Sequence, residues 1–257
     1  MSKNELSTAS SLSDYPMLDS SSEVGAIIAA NAELGVGGSI EMQDLPVIKI
    51  PAGGSTTWVW TDAEGVEQSS KTIEGILVYT GVRGILWPTT GPSNSKPVIV
   101  SNDLKTGLIV SDDYGDLDPD VIEAHRTGER TVNWRTLPYC QWDSGPGGRG
   151  KRCKEIRLLG ILQPGEAIPV IIQGSPASNK PIDTFLRKIG LKSLFYQRIV
   201  KVTLTKVENP SGQPYGQIAC QATGDIGPEA AARVREMFTD PLTAANSTAS
   251  TQEPAPF

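Results

Sequence analysis

Residues 196–222 read YQRIVKVTLTKVENPSGQPYGQIACQA. Val200, Val202, Leu204 and Lys206 fall on one side, and Ile199, Lys201, Thr203 and Thr205 on the other. A period of two is the signature of a strand, because successive side chains point to opposite faces. Asn209-Pro210-Ser211-Gly212 then supplies turn residues, and Tyr215 to Ala222 returns as a second strand. The stretch is expected to be a β-hairpin.

Outward from this hairpin the chain keeps the same character. Strands are expected at Asp44–Pro51, Thr56–Thr61, Lys71–Arg83 continuing through Gly84–Pro88, Pro97–Ser101, Thr106–Ser111, Glu155–Leu162 and Ala167–Gln173. Trp58 and Trp60 share one face of theirs. Helices are fewer. Pro119–Thr127 begins with proline behind a capping Asp118. Pro181–Ile189 sets Ile182, Phe185, Leu186 and Ile189 on one face, with Gly190 as its stop, and Pro228–Phe238 is alanine-rich. Val24–Ala32 has room for one or two helical turns. With 26 glycines and 19 prolines among 257 residues, the expected class is mainly β, a β-rich α+β fold. Short strands separated by turn signals point to an OB-like barrel with added helices and disordered termini. The expected organisation is a disordered Ser-rich arm over 1–22, one domain over 23–239 and a disordered polar tail over 240–257.

Composition excludes several functions. No apolar run is long enough to span a bilayer, and no secretory signal is visible, so cytoplasm is the expected compartment. HExxH, GxSxG, the Walker loop and paired CxxC are all absent from the sequence, and no enzyme activity is implied. The three cysteines read as thiols. Cys140 and Cys153 with His125 are three potential zinc ligands, short of the four that a structural site needs.

The net charge is -6, yet eight Lys/Arg face three Asp/Glu between Arg126 and Arg157. Within this region Leu137–Leu162 reads LPYCQWDSGPGGRGKRCKEIRLLGIL. It joins a glycine loop to the cations Arg149, Lys151, Arg152, Lys154 and Arg157. Trp134, Tyr139 and Trp142 lie in or beside it, while Trp58, Trp60 and Trp87 are further aromatic candidates. Cations for phosphates and aromatic rings for bases are what a single-strand binder needs. Lys201, Lys206 and Arg198 on the late strand would extend the basic face. Upstream, Asp112, Asp113, Asp116, Asp118, Asp120 and Glu123 form an acidic block. Its spacing has some likeness to a calcium loop but lacks the closing glutamate. The expectation is a solvated loop that competes intramolecularly for the basic face.

Two resemblances sharpen the functional reading. The chain ends Glu253-Pro254-Ala255-Pro256-Phe257. A polar tail with an acid and a terminal Pro-Phe resembles the C-terminal tip of bacterial single-stranded DNA-binding proteins, although the family usually has several acids there. That resemblance implies that Pro256 and Phe257 dock replication or repair proteins, with ring and carboxylate held in one basic-rimmed pocket. The second lies in Cys140, Gln141, Trp142, Ser144, Gly145, Gly148, Gly150, Lys151, Cys153, Lys154, Arg157, Leu158 and Leu159. This pattern is similar to uncharacterised phage and mobile-element proteins over roughly Leu137 to Thr223. Members often carry a further upstream cysteine pair, which is missing here, so a family metal site does not carry over. Together these features lead to the expectation of sequence-independent single-stranded DNA binding in replication, recombination or repair of a phage or plasmid, by a protein that forms no membrane contacts and is free to oligomerise. The alternative is a structural or adaptor protein with a zinc-stabilised loop and no nucleic-acid role.

Overall fold

The computed structural model describes residues 14–18, 45–61, 65–89 and 96–248. Val24–Ala32, most of the N-terminal arm and the last nine residues, Pro256 and Phe257 among them, lie outside the described residues. The chain is mainly β, with a large mixed sheet and a few helices. It divides into two units, Met1–Thr80 with Arg157–Thr243, and Gly81–Ile156 with Ala244–Phe257. Each unit has its own apolar core.

In the first unit, β1 (Val47–Lys49) leads through a turn to the hairpin β2 (Trp58–Thr61) and β3 (Glu67–Ser70). The long strand β4 (Thr72–Leu86) begins here and ends in the second unit. Its first half pairs antiparallel with β11 (Arg198–Glu208), which pairs with β12 (Pro214–Asp225) in the hairpin read from sequence. On the other side of β4 stands β9 (Lys154–Leu162), followed by β10 (Val170–Gln173), which runs parallel to β1. Among the described residues β1 and β12 are sheet edges, so the hydrogen-bonded ring of a closed barrel is not formed. The chain leaving β1 nevertheless lies against β12. A side chain added at Gly54 would meet Pro214, and one at Gly216 would meet Ile50 and Ser55.

The core of this unit gathers Ile48, Trp58, Ile73, Leu77, Leu159, Ile172, Val200, Val202 and Ile218. The helix α2 (Asn179–Gly190) covers it with Ile182 and Ile189 buried and Phe185 and Leu186 half-buried, the face expected from spacing. Ile199 and Val200 are both buried, on opposite faces of β11, and the partner strand β12 carries a β-bulge at Thr223 beside them.

Two segments expected to be disordered are ordered. Tyr15 and Leu18 are buried, the Asp14 carbonyl accepts from the Gly165 N–H at 2.8 Å, and Arg233 donates to the Leu18 carbonyl. Burial of these apolar side chains offsets the entropy of ordering residues 14–18. At the other end α3 (Gly227–Val234) passes through a π-helical turn at Arg235–Thr239 into α4 (Asp240–Thr248). This last helix carries the described chain to Thr248, and Leu242 is buried.

The second unit continues from the end of β4 through β5 (Ile99–Ser101) and β6 (Thr106–Ile109) to β8 (Thr131–Asn133) and β7 (Arg126–Gly128), all antiparallel. The short helix α1 (Pro119–Glu123) starts as read, with the Asp118 carboxylate accepting from the Asp120 N–H at 2.9 Å. Leu86, Ile99, Ile109, Leu117, Ile122, Val132, Trp134, Cys140 and Cys153 form its core.

Candidate nucleic-acid interface

The loop between Cys140 and Cys153 belongs wholly to the second unit. It is braced rather than loose. The Ser144 hydroxyl lies 2.8 Å from the Tyr139 carbonyl and 2.7 Å from that of Gln141, and it accepts from the Arg152 N–H at 3.0 Å. The Gly145 N–H donates to the Gly150 carbonyl at 3.1 Å, and Gly148 donates to Gly145 at 3.0 Å. Gly147, Gly148 and Gly150 take φ of 68°, 68° and 66°, a region that disfavours residues with a Cβ. The glycines therefore encode a tight turn that turns Trp142 and Arg149 outward.

Trp142 is 75% exposed, and Arg149 is exposed and forms no ion pair among the described residues. The other cations are engaged. Lys151 pairs with Glu155 at 2.9 Å, and Arg152 with Asp116 at 2.7 Å. Lys154 is exposed, with its ammonium 5.5 Å from the centre of the half-buried Trp87 ring. Arg157 belongs to the first unit and pairs with Asp183 at 2.6 Å. On that unit Arg198 is held by Asp225 at 3.5 Å and Ser193 at 2.6 Å, while Lys201 is half-buried and Lys206 exposed.

The acidic block reaches the basic segment in the way its charge demands. Besides the Arg152–Asp116 pair, Arg130 lies 3.5 Å from Asp112, and the Asp118 N–H donates to the Tyr139 hydroxyl at 2.8 Å. The Arg152 guanidinium stands 5.2 Å from the Tyr139 ring centre. Tyr139 thus has its hydroxyl engaged and a cation against its ring. Two cations of the basic segment, Arg130 and Arg152, thus face carboxylates of the acidic block.

Trp134 corrects the sequence reading. Its polar neighbours suggested an exposed ring, but it is 1% exposed in the core, over Gly84 and Gly107, with Nε1 3.4 Å from Glu155. Neither ring face is open to a base. Trp58 is buried and Trp60 half-buried against the first core. Of the three potential zinc ligands, Cys140 and Cys153 share the core of the second unit, and no group of three or more His, Cys, Asp or Glu is placed to hold a metal among the described residues. His125 is half-buried, its Nδ1 2.8 Å from the Val121 carbonyl one helical turn away. No helix among the described residues is long and apolar enough to cross a membrane.

The thiols carry a pH signature. Contact with Cys153, and then burial, raises the Cys140 thiol, and burial pushes Cys220 up to about 12. In the unfolded chain a thiol titrates near ~8.5. Between these values the folded state binds more protons than the unfolded state, so stability is full below ~8.5 and falls as pH rises toward the folded value. The loss is at most about 1.4 kcal/mol per pH unit and thiol. Urea titrations across this alkaline range are expected to show a shallower decline for Cys220→Ser than for the parent. Equal slopes would contradict the assignment.

No protein-family model, curated protein or solved structure matches the chain.

Proposed function

We propose that the chain binds single-stranded DNA without sequence preference, in replication, recombination or repair of a phage or plasmid. The observation that carries this reading is the braced glycine loop with Trp142 and Arg149 both exposed on it. An indole face stacks on any base, and a guanidinium meets the adjoining phosphate. Lys154 adds a second exposed charge in the same unit. Lys151, Arg152 and Arg157 contribute only where a phosphate displaces Glu155, Asp116 or Asp183. The proposal further takes the first unit as a barrel of the oligonucleotide-binding type, supported by the chain after β1 lying against β12. Pro256 and Phe257 would recruit replication or repair proteins.

An adaptor without a nucleic-acid role is the second reading. The intramolecular ion pairs favour it, since three of the five cations read as phosphate contacts already face carboxylates.

Anisotropy of a labelled oligo-dT titrated with the full chain separates the two. Binding is expected to survive duplex competitor and to weaken with salt. Trp142→Ala is expected to cost about 1–3 kcal/mol of binding free energy, and Arg149→Ala is expected to reduce the salt slope. Absence of binding at low salt, or full affinity in the Trp142→Ala, Arg149→Ala double variant, would overturn the single-strand reading and favour the adaptor.

A further inference from the structure

Cys140 and Cys153 stand at the two ends of the braced loop. Both are 3% exposed and share the core of the second unit. The Cys153 N–H donates to the Tyr139 carbonyl at 3.1 Å, so the backbone runs side by side where the loop closes. Cys153 is the foremost influence on the Cys140 thiol and raises it. No third metal-ligating side chain joins them among the described residues. Both cysteines are free in this structure, and Cys220 belongs to the other unit. Backbone pairing one residue from Cys140 and a shared core bring the two cysteines together, and proximity of the two Cα positions is the main requirement for a disulfide.

We propose that Cys140 and Cys153 are a dithiol that closes to a disulfide when a small-molecule disulfide is the oxidant, stapling residues 141–152 at their base. This stands apart from any nucleic-acid role, since it rests on the two cysteines and their backbone alone.

The chemistry is thiol–disulfide exchange. One cysteine sulfur attacks the oxidant, whose S–S bond breaks, and one half leaves as a thiolate and takes a proton. The second cysteine sulfur attacks the protein sulfur of the mixed disulfide and expels the other half. The two cysteines lose two protons and two electrons, and the oxidant is reduced to two thiols. Attack requires a thiolate, and the Cys140 proton is held tightly by its neighbour and by burial. Whichever sulfur attacks must first lose its proton, so the exchange accelerates as pH rises. The loop geometry needed for the bond is already in place, held by Ser144 and the glycine hydrogen bonds. Oxidation locks this conformation, with Trp142 and Arg149 still facing outward.

The test incubates the folded full chain with oxidised glutathione to a constant composition. Acid quenching, unfolding and alkylation follow, and tryptic peptides are read by mass spectrometry. Trypsin cuts after Arg149, Lys151 and Arg152, so the two cysteines leave on separate peptides unless a disulfide joins them. The expected result is a linked pair carrying Cys140 and Cys153, with Cys220 alkylated. In Cys140→Ser the expected product is a lasting glutathione adduct on Cys153. Three results would overturn the proposal. These are full alkylation of Cys140 and Cys153, an unresolved glutathione adduct in the parent chain, and linkage that forms equally fast in urea-unfolded protein.

Discussion

Trp134→Ala is expected to destabilise the unit that holds it by about 3–5 kcal/mol, the range for truncating a fully buried large aromatic side chain. The ring is 1% exposed and rests over Gly84 on β4 and Gly107 on β6. A side chain at Gly84 would collide with it, and one at Gly107 would collide with Ile99 and Val132 and crowd the ring. Those positions have no atoms of their own to move into the space that truncation opens. Collapse is therefore limited, which puts the loss toward the upper end of the range. Hydrogen exchange at the amides of β5, β6 and β8 reads this unit directly. Loss of protection there is expected with Trp134→Ala, and retained protection would show that the ring is dispensable. Glu155, which also pairs with Lys151, would lose its indole contact at the same time.

Trp58 is expected to give a loss of similar size, again about 3–5 kcal/mol for the alanine variant, in the other unit. It is fully buried among Ile48, Ile73, Leu77, Val202 and Ile218. Its Nε1 differs from that of Trp134, because it finds no hydrogen-bond acceptor among the described residues. A buried donor without a partner costs about 1–3 kcal/mol. Trp58→Phe removes that donor while keeping most of the apolar volume, so it is expected to cost far less than Trp58→Ala. Urea unfolding of both variants checks the ordering, and equal losses would refute the argument.

Legibility in the sequence followed the range of the forces involved. The hairpin of β11 and β12 was readable because strand alternation and a turn with asparagine, proline and glycine are local signals. The face of α2 was readable for the same reason. The bulge at Thr223 of β12 was not readable, because one inserted residue leaves no local mark. Trp134 was misplaced because its surroundings in sequence are polar, while the space that receives it is made by two glycines on other strands. Arg152 and Arg157 looked available because their carboxylate partners lie elsewhere in the chain. Asp116 is 36 residues before Arg152, and Asp183 is 26 after Arg157. The acidic block was recognised as a competitor, but charge runs alone do not say which aspartate meets which arginine. Strands β3, β7 and β8 are three or four residues long, too short for a period to register.

The wide turn at Arg235–Thr239 has its own bearing on how this chain tolerates change. Ala230, Ala231 and Val234 are buried before it, Phe238 and Thr239 within it, and Leu242 beyond it. The Thr239 hydroxyl donates to the Val78 carbonyl at 2.7 Å from inside this turn. An α-helix advances about 100° per residue, so a strict α-helical path would carry a contact stripe gradually around its axis. One loosened turn brings the stripe back. It behaves like a leap day in a calendar, a single extra unit that keeps two mismatched periods in step. At the exposed Arg235 and Glu236 residue type can therefore vary more freely than the number of residues in the turn.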